Sequence, residues 1–235
     1  LSMVTRLEDD AFEWKPVPFQ APAANRVDEA IEIELAADGS ATGRVTLESV
    51  GASAALLRQM ARNESLFERF LQHFADTIWP GAIVVGSEIL SAEEITRPVR
   101  IAATFEIPKL AREEAGRLRF KIPRDAFPEK QFTLDERDHP LVLGPPSAQG
   151  WTVDIRLPEG AEIERLPGPV EIDAGCARFS RETSSDGREI HVEQSLTFTC
   201  ERIEVDAYPA ARDRIHEIHQ AMDEDVAVRP RGRRR

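Results

Sequence analysis

The chain has 235 residues and a mass of 26.3 kDa. That length fits one large or two small domains, because a single core rarely grows past ~250 residues. A hydrophobic fraction of 41% beside a charged fraction of 31% excludes broad disorder and suffices for a sizeable core. No stretch approaches the ~20 apolar residues of a membrane span, and no cationic-then-apolar signal segment opens the chain. The first residue is Leu1 rather than Met, so a piece of a longer protein is expected. The formal net charge is −12. Five of the 30 cations (Arg229, Arg231, Arg233, Arg234 and Arg235) lie at the end, leaving −17 on residues 1–228. Such an acidic body repels phosphate, which argues against nucleic acid as the main partner. The basic tail, placed at 227–235, reads as a solvated terminus, with contact to an acidic surface as the alternative.

Residues 11–26 contain Pro16, Pro18 and Pro22. Prolines this dense fix φ and remove donors, so 1–24 is expected as an extended connector. Ile31, Ile33 and Leu35 then alternate with Glu32 and Glu34, and Val45 and Leu47 continue the alternation after Asp38-Gly39. This predicts a β-hairpin over about 27–49. Over 52–78 the period changes: Leu56, Met60, Phe67, Phe70, Leu71, Phe74 and Ile78 form one apolar helical stripe, broken near Asn63 and stopped by Pro80-Gly81. A helix face packed on a sheet explains these aromatics more simply than a ligand groove. Strands are expected at 82–88, at Val99–Ile107 and around Leu118–Ile122.

Prolines 123, 128, 140, 145 and 146 mark a seam over 123–150. Beyond it Trp151, Val153, Ile155 and Leu157 alternate with polar residues. Val170 and Ile172 follow a Leu-Pro-Gly-Pro turn, and 177–182 and 188–200 flank the hairpin signal Ser184-Ser185-Asp186-Gly187. Residues 202–207 extend or pair with that sheet. Pro209 suits the first turn of a helix over about 210–224. The fold class is therefore α+β and β-rich: an antiparallel sheet with covering helices over 25–127, then a β-sandwich-like module with a C-terminal helix over 128–226.

The two cysteines, Cys176 and Cys200, first suggest a disulfide. If Asp186-Gly187 are the two loop residues, Cys176 faces Thr197 and Cys200 faces Asp173. Thr197 and Cys200 are three apart, so the thiols point to opposite sides of the sheet. A bridge needs Cα atoms within ~7 Å, and two unpaired, half-buried thiols are expected instead. Catalysis by either thiol is not expected, because an activated thiolate wants a helix N-terminus or a cation and a base in reach. His216 and His219 share a helix face with Glu217 and Asp223 nearby, but structural zinc wants about four ligands and no other cluster is in sight. His73 is expected at the core edge. The doublets Asp9-Asp10, Glu93-Glu94 and Glu113-Glu114 read as solvated, since neighbours on a strand face opposite ways. Phosphate-loop, HExxH and GxSxG patterns are absent. No catalytic, metal or cofactor residue is assigned.

Asp38, Gly39, Gly43 and Gly51 are followed by Leu57-Arg58, Pro80-Gly81 and Pro98-Val99-Arg100-Ile101. Then come Asp138-His139-Pro140-Leu141, Leu157-Pro158 with Gly160, Leu166-Pro167 and Tyr208-Pro209. In this order the pieces, spanning about 25–225, resemble the region after the catalytic domain in bacterial transglutaminase-like proteins that carry the N-terminal domain of unknown function 3857. His139 departs from the pattern, standing where Tyr or Arg is common. The resemblance implies a papain-like Cys, His and Asp core outside this chain, which is then a non-catalytic accessory or protein-interaction module. The implied partner is that core in the same parent chain, with a protein or peptide partner besides, and export is favoured. Two other classes stay open. One is a peptide- or carbohydrate-binding β-sandwich using Trp14, Trp79 or Trp151. The other is a hydrolase built on His73 or His139 with a carboxylate.

Overall fold

A computed structural model describes residues 2–5, 12–15, 20–124 and 129–230. Asp9-Asp10, Pro16, Pro18, Pro128 and residues 231–235 lie outside these. In chain order the elements are β1 (Ser2–Thr5), β2 (Phe12–Lys15), β3 (Arg26–Leu35), β4 (Ala41–Ser49), α1 (Ala52–Ala61), α2 (Glu64–Ile78), β5 (Ile83–Leu90), β6 (Val99–Ile107), β7 (Arg112–Glu114) and β8 (Arg117–Lys121). They continue as β9 (Leu141–Val142), β10 (Ser147–Arg156), β11 (Glu162–Arg165), β12 (Val170–Asp173), β13 (Ala177–Ser185), β14 (Glu189–Phe198), β15 (Arg202–Ile203), α3 (Tyr208–Met222) and β16 (Asp225–Arg229). The class is α+β with a large, mainly antiparallel sheet and a C-terminal helix, as expected.

Eight strands form one sheet in the order β12-β13-β14-β10-β3-β4-β6-β5. Every neighbouring pair is antiparallel except β3 and β10, which run parallel with Ile31 opposite Val153. That single parallel seam joins the N-terminal hairpin to the strands of the second half. A second sheet has the order β11-β16-β8-β7. β16 takes Ala227–Arg229, the first residues of the expected basic tail, into this sheet, and Val226 and Val228 are fully buried. Within the expected N-terminal connector, β1 and β2 pair as a two-stranded ribbon, Met3 opposite Trp14.

Alternation decides the faces of the large sheet. Ile31, Val45, Ile101, Val153, Val192 and Phe179 point into one core, while Glu32, Arg44, Arg100, Asp154, Glu193 and Ser180 point away from it. All three helices serve the apolar face, and the other face is solvated. Asn63 separates α1 from α2 as expected, its side chain capping α2 by accepting from the Leu66 N–H at 3.1 Å. Helix α2 buries Phe67, Leu71, Phe74 and Ala75, the i, i+4, i+7, i+8 stripe of an amphipathic helix. The break also changes which face of α1 is buried, against the stripe expected for it. It rotates α1, so Ala54 and Leu57 face the core and Leu56 is 52% exposed.

Two glycines of the sequence pattern have geometric reasons. At Gly39, φ is +86° and a Cβ would stand 2.6 Å from the Ala111 carbonyl oxygen. At Gly51, φ is +73° and a Cβ would stand 2.2 Å from the Ala24 oxygen and 2.4 Å from Asn25 Oδ1. Asn25 Oδ1 accepts from the Ala52 N–H and Nδ2 donates to the Pro146 carbonyl, so one buried amide ties the start of α1 to the residue just before β10.

A polar row crosses the apolar face: Arg181, Gln194, Trp151 and Glu29 are cross-strand neighbours, each at most 4% exposed. Arg181 accounts for its own burial. Its Nε donates to the Gly168 carbonyl at 2.9 Å, Nη1 to the Ala221 carbonyl and Nη2 to Glu224. The guanidinium thereby binds one of the last carbonyls of α3, that of Ala221, where a cation is favoured by the helix dipole, and pins that helix to β13.

Candidate functional site

The structure overturns the expectation for the cysteines. Cys176 and Cys200 form a disulfide with Cα atoms 5.3 Å apart. The β13–β14 register is shifted by two from the expected one, with Ala177 opposite Phe198. More decisively, the strands stop there. Gly175, at φ +75°, turns the chain ahead of Cys176, and Cys200 lies two residues past Phe198. Strict alternation no longer holds at either residue, so the opposite-face objection fails. The bond seals the open end of the hairpin, beside a cleft of about 550 Å³ walled by Arg202, Ala207, Ala211 and Arg214.

The other singled-out residues scatter. His73 is exposed on α2 rather than at the core edge, and His139 is exposed just before β9. Helix α2 turns His73 outward because Phe74 and Ala75 take the buried positions. His216 and His219 are half-buried on α3. Among the described residues no group of three or more His, Cys, Asp or Glu is arranged to hold a metal, and no helix is long and apolar enough to cross a membrane. Glu93-Glu94 and Glu113-Glu114 are exposed. Trp79 and Trp151 are 4% and 3% exposed, so neither offers an aromatic platform to a ligand. Trp79 instead packs on Phe105 at 5.4 Å and against Gly43.

The strand register assembles one polar constellation that sequence reasoning missed. On the solvated face, Ser184, His191, Asp154, Glu32 and Arg44 are successive cross-strand neighbours on β13, β14, β10, β3 and β4. His191 Nδ1 lies 2.6 Å from Asp154 Oδ1, and Nε2 lies 3.3 Å from Glu193 Oε1. The hydrogen bond to Asp154, then that to Glu193, raises the His191 pKa above its ordinary value, against an opposing effect of burial. The order Ser-His-Asp invites a nucleophile reading. However, the nitrogen that would accept the serine proton faces Glu193 instead, so the imidazole is not placed to take a proton from Ser184. Only the polar alternation of β10 and β14 could have signalled this cluster; nothing in the sequence says that those strands adjoin.

Next to it the solvated face holds a shallow depression of about 470 Å³ lined by Glu32, Glu34, Arg44, Asp154, Arg156 and Glu189. A second cleft of about 500 Å³ opens where α2, the β7–β8 ribbon and the end of α3 meet. Its charges largely neutralise one another: Arg119 bridges Glu114 at 2.9 Å and Asp225 at 3.2 Å, and Lys121 meets Asp223 at 2.6 Å. Neither His73 nor His139 lines these clefts.

A search of curated proteins finds no match. A crystal structure described as a "putative protease" from Parabacteroides distasonis aligns at 14% identity and a TM-score of 0.42, over 49% of this chain and 24% of its own. The present chain thus spans about a quarter of that protein's length. The family model for the Domain of Unknown Function with solved-structure structure (DUF3858) matches residues 118–228. This stretch runs from the second residue of β8 to the fourth of β16 and contains the disulfide, the buried Arg181 and α3. Over residues 118–228, the chain is similar to the DUF3858 family.

Proposed function

We propose that this chain is a non-catalytic accessory or protein-interaction module of a transglutaminase- or protease-like protein, with the reactive centre contributed by another part of the parent. The observation that carries the reading is the fate of the thiols. A papain-like mechanism needs a thiolate beside an imidazole, and here both sulfurs are spent in a staple at a hairpin end. The best-placed imidazole, His191, is clasped between two carboxylates on an open sheet face. The ordered motifs over 25–225 add the transglutaminase-like context. A structural disulfide persists in oxidising compartments, which accords with an exported parent. The test is a screen of the intact chain for peptidase and acyl-transfer turnover. No activity above buffer is expected. Robust turnover abolished by Cys176→Ser or Cys200→Ser overturns the reading.

A further inference from the structure

We propose that the outer edge of β5 is a docking strand, extended by a segment of another polypeptide that carries apolar residues and a Lys or Arg. This deepens the interaction-module reading and rests on it. Strand β5 closes one end of the eight-stranded sheet, and its outer side pairs with no strand among the described residues. Eight residues at ~3.3 Å each give an edge of roughly 26 Å. Its row of backbone donors and acceptors is a template that an added strand satisfies group by group, which a helix or a compact surface cannot do.

The side chains along this edge lack most of the usual protection. Natural edges are blunted by Lys, by Pro or by inward-pointing charge. Here the sequence is Ile-Val-Val-Gly-Ser-Glu-Ile-Leu, and the device present is a bulge between Val84 and Gly86. Ile83 is 54% exposed, Val85 51% and Leu90 40%, and Ile95 in the following loop is 84% exposed. That loop is held in place, because Arg58 donates to the carbonyls of Glu94 and Arg97. Exposed apolar side chains at both ends of an edge strand, beside a pinned loop, favour association.

Charge selects the occupant. Between residues 83 and 96 every charged side chain is acidic, and Glu88 and Glu93 have no ion partner among the described residues, whereas Glu94 is matched by Arg97 at 2.9 Å. A strand laid along β5 with a cation opposite Glu88 completes that pair. A second copy brings only further carboxylates from its own β5.

The experiment uses the full chain and two nine-residue probe peptides alternating Thr and Val, one with a central Lys and one with a central Glu. Binding of the Lys probe is expected to slow amide hydrogen exchange over residues 83–90. It should be about fivefold tighter than the Glu probe, the ratio for one cross-strand charge pair. Glu88→Lys should invert that preference. Val85→Lys, at a position exposed enough to keep the fold, should abolish binding of both. Three results overturn the proposal. One is protection that appears elsewhere or not at all up to millimolar probe. Another is equal affinity for the two probes. The last is a sedimenting dimer dissolved by Val85→Lys, which would assign the edge to a second copy. None of these bears on the turnover screen, so failure here leaves the non-catalytic reading standing.

Discussion

Reducing the Cys176–Cys200 bond removes the covalent closure of a loop whose ends are 24 residues apart in sequence. In the chain-entropy account, such a closure restricts the unfolded ensemble by about 3.5 kcal/mol. The hairpin it closes is not peripheral: Phe179, Ile190, Val192 and Leu196 are each at most 1% exposed. Losing the staple therefore weakens the whole sheet rather than one loop. For a chain of this size 1 kcal/mol corresponds to roughly 2–4 °C, so Tm should fall by about 7–14 °C on reduction. Scanning calorimetry with and without dithiothreitol measures this, beside the double variant Cys176→Ser/Cys200→Ser. That variant should melt near the reduced protein and ignore the reductant. Native, unreduced protein that yields two thiols to a thiol reagent would refute the bond. A Tm unchanged within about 2 °C on reduction would equally refute its stabilising role.

Three further outcomes follow from named contacts. Arg181→Ala strips the donors from two backbone carbonyls and from Glu224, and should cost about 3 kcal/mol in urea unfolding; Glu224→Gln, at a side chain 38% exposed, should cost under ~1 kcal/mol. Gly51→Ala forces a left-handed φ and a close approach to the Ala24 and Asn25 oxygens, so a loss of roughly 2–4 kcal/mol is expected from the Tm, while Gly187→Ala, whose Cβ meets nothing within 4 Å, should cost less. Because the folded pKa of His191 is raised, its contribution is full below the unfolded value of about 6.5 and is lost as pH rises through the folded value. The stability gap between wild type and His191→Gln should therefore be larger at pH 5.5 than at pH 8.5, by no more than ~1 kcal/mol for so exposed a pair; a gap that grows with pH would contradict the Asp154 contact.

Much of the architecture was legible because period-two and period-3.6 patterns are local. The hairpin at 26–49, the strands at 99–107 and 177–198, the break at Asn63 and the helix from Tyr208 all stand close to their sequence-based positions. The short strands β7, β9 and β11 were not legible, since two to four residues carry no period. The orientation of α1 was misread because one stripe was drawn through a helix break. The candidate site was barely legible: His191 and Asp154 lie 37 residues apart and meet only because β10 and β14 are neighbours.

The order of residues alone determined which faces are apolar, where strands turn and where helices start, because each depends on neighbours a few positions away. Only the folded chain decided that β3 lies parallel to β10, that Arg181 reaches the end of α3, and that two sulfurs sit within bonding distance. Those outcomes depend on the relative placement of distant segments. A shift of two residues in one register, or the end of a strand, changes them while leaving every local pattern as it was.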